Sequence, residues 1–171
     1  MMKPTLEPER CPFPLFFRVL YNLVWIPAFL ILAPHYLLRM KRRGGYAESF
    51  LERFGFYKRD VRARLEGEPR PVWVHAVSVG EVQVALRFIQ VWRSHDPGVR
   101  FVLSTVTSTG RRVAREGADP RDVVVYAPLD FPFCLRPAWR AIRPRFLVLV
   151  EGEWWPNWLC WAWGERVPVV V

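Results

Sequence analysis

The sequence is poor in the residues that build metal sites and disulfide frameworks. Its 171 residues include only three histidines and three cysteines, which are Cys11, Cys134 and Cys160. Because the cysteines are odd in number, widely spaced and free of any CxxC pair, we predict neither a disulfide framework nor a zinc site. Such cysteine usage is typical of a reducing compartment.

Glycine motifs that cradle nucleotides are also missing. The sequence contains neither the GxGxxG fingerprint of dinucleotide-binding domains nor a P-loop, and it shows no internal repeat or low-complexity tract. No cofactor is expected from these observations.

Apolar and basic residues, by contrast, are abundant. An apolar fraction of 51% and an aromatic fraction of 15% exclude a disordered chain. The net charge is +9, from 25 basic and 16 acidic residues, which favours an anionic partner: nucleic acid, anionic lipid headgroups or a phosphorylated substrate. Nucleic acid is disfavoured, because the aromatic residues lie in apolar runs instead of alternating with basic ones.

An apolar segment lies near the amino terminus. Val19 to Leu38 contains no Asp, Glu, Lys or Arg, and these twenty residues are about the length that spans a bilayer core. Pro34 is expected to break the helix near its end. Two alternatives stay open: a spanning anchor, or a helix in the membrane interface, where Tyr21 and Trp25 are typical residues. A cleaved signal peptide is disfavoured, because no small-x-small cleavage site follows.

A basic cluster follows this segment, formed by Arg39, Lys41, Arg42 and Arg43. The positive-inside rule places that side in the cytoplasm, and clustered cations attract anionic lipid. We therefore predict an anionic membrane surface as a partner. We assign residues 1–43 to a membrane anchor and its basic flank, and residues 44–70 to a short helix over 46–57 with a charged linker over 58–70.

The remaining chain, residues 71–171, alternates between two patterns. Near-continuous β-branched runs indicate strands of a parallel sheet covered on both faces, and they occupy 72–77, 101–106, 123–126, 146–150 and 167–171. Helices are predicted between them over 80–94, 109–117, 132–142 and 156–164. Asp130 and Glu153 are expected to start the last two helices. The alternation predicts an α/β class fold with a Rossmann-like parallel sheet and flanking helices.

The first strand–helix junction contains Ser78, Gly80 and Glu81. Ligands of open parallel sheets bind at the carboxyl ends of strands, so we expect Gly80 to let a substrate approach and Glu81 to present its carboxylate there. Ser78 and Glu81 also have the spacing of a capping box, in which Glu81 bonds the backbone of Ser78. Capping and catalysis both remain open for Glu81.

Two further junctions carry polar residues. Thr107, Ser108, Gly110 and Arg111 stand at a predicted helix start and can hold an anion, although an ordinary Ser/Thr cap with solvated arginines is the alternative. Glu151 follows the fourth strand. A carboxylate at the end of a buried strand costs folding free energy unless it is exposed to solvent, paired with a cation or part of a functional site. His75 and Trp158 are expected in the core.

Four motifs together resemble one family: His75–Glu81, Thr105–Gly110, Tyr126–Asp130 and Glu151–Asn157. They are similar, in residues and order, to the amino-terminal half of the 3-deoxy-D-manno-octulosonic acid (Kdo) transferases of lipopolysaccharide synthesis. The resemblance implies one half of a GT-B fold, an inverting transfer of Kdo from CMP-Kdo to a lipid A precursor, and a location at the cytoplasmic face of the inner membrane. The transfer that the resemblance implies requires no metal ion.

The resemblance also implies roles for particular residues. Glu81 matches the general base that deprotonates the acceptor hydroxyl, and Glu151 matches a second acidic position that assists the transition state. The sequence departs from the family at Gly152-Glu153, where Thr-Glu is usual, and at Ala47–Ser49, where a basic pair is common. These departures concern the acidic motif and the acceptor-phosphate contacts.

The resemblance places most donor contacts in a second domain. We expect that domain to be absent from this chain, which alone would then be incomplete for activity. Two other functions compete with Kdo transfer: a related lipid glycosyltransferase with another donor, and a non-enzymatic lipid-binding module at the membrane surface.

Overall fold

A parallel sheet of five strands forms the centre of the computed structural model, which describes residues 11, 13–43, 49–152 and 154–171. The strands are β1 (Val72–His75), β2 (Phe101–Thr105), β3 (Val123–Tyr126), β4 (Phe146–Leu149) and β5 (Val169–Val170). They lie in the order β3-β2-β1-β4-β5, and Val72 of β1 pairs with Phe101 on one side and Phe146 on the other. The predicted α/β class is confirmed.

Six α-helices accompany the sheet in the described residues: α1 (Leu15–Arg43), α2 (Arg59–Leu65), α3 (Val79–His95), α4 (Ser108–Gly117), α5 (Pro132–Ile142) and α6 (Pro156–Gly164). Short 3₁₀ helices occupy Phe50–Phe54 and Val150–Gly152. The prediction of a linker over 58–70 was wrong, because α2 lies within it. Leu65 is buried in the core, and this packing stabilises α2. The charged composition of the segment gives no sign of a helix, because the packing that stabilises it is tertiary.

The core has two apolar layers, one on each face of the sheet. Trp73 faces the layer that contains α2, α5 and α6, where it contacts Trp139 and Trp158. Its neighbours Val72 and Val74 face the layer that contains α3 and α4. Burial on both faces explains why the strands read as continuous apolar runs.

Helix α1 continues without a break through Pro27 and Pro34 to Arg43, so the predicted end near Pro34 was wrong. An internal proline removes one backbone hydrogen bond and can bend a helix, but the bonds on either side remain. The segment Leu15–His35 has a mean hydropathy of 1.9, and none of its residues is fully buried inside the protein. By length and composition it is able to cross a membrane.

One disulfide bond joins the amino-terminal segment to α6. Cys11 and Cys160 are bonded although they lie 149 positions apart in the sequence, which contradicts the prediction from cysteine spacing. A pairing between distant cysteines depends on tertiary approach, so spacing along the chain does not reveal it. Cysteine usage therefore gives no support for a reducing compartment. Cys134 is free and buried.

Candidate active site

The strand order creates a crevice between β1 and β4. The chain proceeds from β1 through α3 to β2 on one side of the sheet, whereas β4 and β5 lie on the other side of β1. Such a point, where the strand order reverses, is where open α/β sheets bind ligands, at the carboxyl ends of the strands. Glu81 follows β1 and Glu151 follows β4, so the topology brings both predicted acidic residues to the edges of one crevice.

Glu81 forms the predicted capping box at the start of α3. Its Oε2 accepts a hydrogen bond from the Val77 N–H at 2.8 Å, and its Oε1 accepts one from the Ser78 N–H at 3.1 Å. In return, the Ser78 Oγ accepts from the Glu81 N–H at 3.2 Å. The Glu81 residue is only 7% exposed. These bonds fix the carboxylate at the end of the central strand.

The capping hydrogen bonds leave the Glu81 carboxylate able to accept further hydrogen bonds. A carboxylate offers about four acceptor positions, and the two backbone N–H groups occupy two of them. The remaining positions can accept a proton or a hydroxyl hydrogen bond. The geometry is therefore compatible with both roles that the sequence left open.

Gly80 is exposed at the first turn of α3. A Cβ at this position would meet only the Ser78 Oγ, at 3.9 Å, and the backbone is helical. Nothing in the described residues therefore requires glycine here. Among the residues that the structure describes, no side chain accepts a hydrogen bond from the N–H groups of Val79 and Gly80 in the first turn of α3.

Replacing Gly80 by Ala tests whether a substrate requires this open space. The added methyl group has room, and alanine favours a helix, so the free energy of unfolding should stay unchanged or rise by up to about 1 kcal/mol. If a substrate passes against Gly80, as the sequence pattern predicts, activity should fall although the protein is no less stable. Urea unfolding and steady-state kinetics measure the two effects, and an unchanged KM for that substrate would contradict a contact here.

At the second junction, between β2 and α4, close packing requires the glycine at position 110. Thr107 caps α4, because its Oγ1 accepts a hydrogen bond from the Gly110 N–H at 3.0 Å. A Cβ on Gly110 would lie 2.6 Å from the Thr105 Oγ1, so the helix start packs directly on β2. Thr107 and Ser108 are partly exposed at the same sheet edge as Glu81.

Arg111 lies in the interior instead of at the mouth of the crevice. Its Nη2 is 3.0 Å from the Glu52 Oε1, and both side chains are at most 5% exposed. The Glu52 Oε2 also accepts a hydrogen bond from the Tyr126 N–H at 2.8 Å. The guanidinium groups of Arg53 and Arg111 lie 4.1 and 4.3 Å from the Tyr126 ring centroid. This cluster fastens the 3₁₀ helix Phe50–Phe54 to the sheet.

Glu151 occupies a tight turn directly after β4. Its φ is 61° and its ψ is 34°, and the following Gly152 also has a positive φ of 71°. The residue is exposed. This turn ends the strand at Leu149, one residue earlier than predicted, and leaves the carboxylate in solvent beside the crevice. The predicted cap Glu153 and the departure at Ala47-Glu48 lie outside the described residues.

Asp130 caps a different helix from the one predicted. Its carboxylate accepts hydrogen bonds from the N–H groups of Asn157 and Trp158 at the start of α6, at 3.3 and 3.0 Å. The Oδ2 also accepts a bond from the Tyr21 hydroxyl of α1 at 2.8 Å. Sequence analysis placed Asp130 at the start of α5, because a cap supplied from another part of the chain leaves no local spacing signal.

Burial raises the pKa of the Asp130 carboxyl from 3.8 to about 6, against the hydrogen bonds that lower it. The folded state therefore binds this proton more tightly than the unfolded state. The resulting stabilisation is complete below the unfolded pKa and is lost as the pH rises through the folded pKa. From about pH 4 to about pH 7, the unfolding free energy of the wild type should fall relative to that of Asp130→Asn. Urea unfolding across this range measures the difference, and a constant difference would contradict the shift.

His75 is a core residue, as predicted. It is 1% exposed, its Nδ1 lies 3.1 Å from the Ser104 Oγ, and its ring packs against Trp158. Burial lowers the pKa of His75 to about 4. Among the described residues, no three His, Cys, Asp or Glu side chains form a group suited to a metal ion.

The strand order and the two acidic residues define a Rossmann-like α/β domain with an acidic crevice at its topological switch point. The chain belongs to the 3-deoxy-D-manno-octulosonic-acid transferase family: residues 48–171 match the family model described as "3-Deoxy-D-manno-octulosonic-acid transferase (kdotransferase)". This match confirms the family resemblance of the four motifs.

Curated relatives agree with the family match. The chain is 33% identical to the 3-deoxy-D-manno-octulosonic acid transferase of Chlamydia pneumoniae over 144 residues, which are 84% of this chain and 32% of that protein. The protein of the same name from Bordetella pertussis is 35% identical over 139 residues, 78% of this chain and 31% of the relative. The protein of the same name from Haemophilus influenzae is 27% identical over 126 residues, which are 74% of this chain and 29% of that protein. The chain thus spans about a third of the length of these relatives.

Proposed function

We propose that this chain is the acceptor-binding domain of an inverting glycosyltransferase that moves Kdo from CMP-Kdo to a lipid A precursor. The reaction is assigned to the cytoplasmic face of the inner membrane. Family membership supports the reaction class. The net charge of +9 suits an acceptor that carries phosphates, and the apolar helix α1 suits a membrane location.

The observation that carries the proposal is the fixed carboxylate of Glu81. It lies at the carboxyl end of the central strand, at the switch point of the sheet, and two backbone N–H groups hold it there. A base held in one orientation beside the substrate needs little reorganisation when the proton moves. Open space at Gly80, on the same helix turn, gives the acceptor sugar access to this position.

The reaction then proceeds by a single displacement. Glu81 takes the proton from the acceptor hydroxyl as its oxygen attacks the anomeric carbon of Kdo, and the bond from that carbon to the phosphate oxygen of CMP breaks. Attack from the face opposite to the leaving group inverts the anomeric configuration. Positive charge develops on the sugar ring in such transition states, and the exposed carboxylate of Glu151 across the crevice stabilises it.

Polar groups at two junctions position the acceptor in this proposal. The Ser78 hydroxyl and the free N–H of Gly80 hold sugar oxygens at the start of α3, and Thr107 and Ser108 supply hydroxyls at the start of α4. Gly110 and Arg111 do not contact the acceptor but support the loop that does. Gly110 packs on β2, and Arg111 pairs with Glu52. We assign the donor contacts to a second Rossmann-like domain outside these 171 residues.

A transfer assay tests the proposal directly. The substrates are CMP-Kdo and a lipid A precursor in mixed micelles, and the proteins are the chain as given and a form extended by a second Rossmann-like domain. We expect Kdo transfer by the extended form. Absence of transfer with CMP-Kdo but activity with another sugar nucleotide would instead support a related lipid glycosyltransferase. Binding of the lipid without any transfer would support a lipid-binding module.

A further inference from the structure

Helix α1 is docked on the body along one face. The partly buried positions of its apolar segment include Arg18, Tyr21, Asn22, Trp25 and Phe29, which recur with helical spacing. This face is the more polar one. The opposite face is apolar and exposed, with side chains that are at least 65% exposed at Phe16, Leu23, Leu30 and Ile31.

Specific contacts hold the docked face in place. The Tyr21 hydroxyl donates to the Asp130 Oδ2 at 2.8 Å, and the amides of Asn22 and Asn157 exchange two hydrogen bonds of 3.2 and 3.0 Å. Further along, Phe29 packs edge-on against Phe131 with ring centroids 5.3 Å apart.

These contacts lie at the middle of the apolar segment. The segment Leu15–His35 is centred on Trp25, so Tyr21 and Phe29 are each about 6 Å from its midpoint along the axis. If α1 crossed a hydrocarbon core of about 30 Å, both residues would lie deep within it. Their partners on the body, Asp130 and Phe131, would be at the same depth.

Such a depth is incompatible with the structure around Asp130. The Asp130 carboxyl group is ionisable, and the segment from Trp154 to Trp155 before α6 is irregular backbone at which Trp154 is 69% exposed. Irregular backbone exposed to lipid would leave its N–H and C=O groups without partners, and an ionisable side chain would add to the cost. A spanning orientation would therefore require the body to leave α1.

We infer that α1 does not cross the membrane but lies along its surface, between the acyl boundary of one leaflet and the Asp130–Asn157 end of the body. The exposed apolar face then enters the lipid. Phe133 continues this apolar face, since it stacks on Phe131 at 5.3 Å and is 61% exposed. The basic cluster that follows in the sequence, Arg39 to Arg43, complements anionic headgroups.

This orientation deepens the proposed membrane location and does not depend on which sugar is transferred. The body contacts α1 through Asp130, which follows β3, and through Asn157, which lies in the first turn of α6; both are at the carboxyl edge of the sheet. The same edge carries Glu81. An in-plane α1 thus places the crevice beside the headgroups, where a lipid-linked acceptor sugar is exposed.

Protease protection of a tagged protein distinguishes the two orientations. An epitope tag is placed before Met1, and the tag and the body are probed separately in bacterial spheroplasts and in inverted membrane vesicles. An in-plane helix leaves both on the same side, so both are protected in spheroplasts and both are digested in inverted vesicles. Digestion of the tag in spheroplasts while the body stays protected would overturn the inference.

Vesicle sedimentation tests the lipid-facing side of α1. The vesicles contain equal parts of phosphatidylethanolamine and phosphatidylglycerol. Leu23→Glu combined with Ile31→Glu should weaken binding by about a hundredfold, because both side chains leave the lipid. Val84→Glu with Val91→Glu makes the same change on exposed positions of α3 and should bind like the wild type. Circular dichroism verifies folding of both variants.

The outcomes separate the inference from the proposed function. Equal binding of the α1 variant and the wild type would contradict lipid contact by this face. Tag digestion on the outer side would refute the in-plane orientation even if Kdo transfer were intact. Absence of Kdo transfer, with tag and body on one side, would refute the enzyme but leave the orientation standing.

Discussion

In the form extended by a second Rossmann-like domain, replacing Glu81 by Gln is expected to lower the proposed Kdo transfer by roughly 10²–10⁴-fold in a protein that still folds. The amide cannot accept the proton of the acceptor hydroxyl, and a positioned general base usually contributes a factor of this size. The loss should appear in kcat, with little change in the KM of the acceptor, because the shape of the side chain is kept. Steady-state transfer by the extended form, with CMP-Kdo and a lipid A precursor, measures both constants.

The geometry of the capping box predicts that this substitution also lowers stability. The carboxylate accepts from two N–H groups, those of Val77 and Ser78, whereas an amide has one acceptor oxygen. One N–H group would face the amide NH₂, at a cost of about 1–3 kcal/mol. Gln therefore does not preserve the cap fully, although the sequence pattern allows Gln at this position.

Ile89→Val separates the two effects. Ile89 is buried on the same helix, two turns beyond Glu81, and the loss of one methylene costs about 0.5–1.5 kcal/mol. This variant should lose stability but keep normal transfer. If Glu81→Gln transfers Kdo at a near-normal rate, Glu81 is only a cap, and Glu151 becomes the leading candidate for the base.

Replacing Arg111 by Met is expected to reduce the free energy of unfolding by about 3–5 kcal/mol. The substitution leaves the buried Glu52 carboxylate without the guanidinium that pairs with it at 3.0 Å, and removal of one partner from a buried ion pair costs about this much. The stacking on Tyr126 is lost as well. Urea-induced unfolding followed by tryptophan fluorescence measures the change.

Two further variants define the role of Arg111. Arg112→Met removes the neighbouring arginine, whose pair with Glu116 is exposed, and should change stability by no more than about 0.5 kcal/mol. Adding Glu52→Gln to Arg111→Met should restore part of the stability, since the Glu52 carboxylate is then no longer buried without Arg111. If Arg111→Met is as stable as the wild type but raises the acceptor KM, Arg111 binds substrate directly.

Sequence periodicity determined the architecture of the α/β body. Near-continuous β-branched runs with helical segments between them predicted a parallel sheet covered on both faces, and the five strands and their connecting helices confirm it. Local patterns of this kind reflect burial that repeats along each element. The capping box of Ser78 and Glu81 was predictable for the same reason, because its two partners lie three residues apart.

Contacts between distant residues were decided only by the tertiary structure. The cap that Asp130 supplies to α6, the pair of Arg111 with Glu52 and the Cys11–Cys160 bond join residues 27 to 149 positions apart. Sequence spacing contains no signal for such contacts, since each depends on which helices and strands become neighbours in the sheet. The orientation of α1 has the same origin. Its apolar length alone is compatible with spanning and with surface binding, whereas its contacts with Asp130 and Asn157 favour the surface.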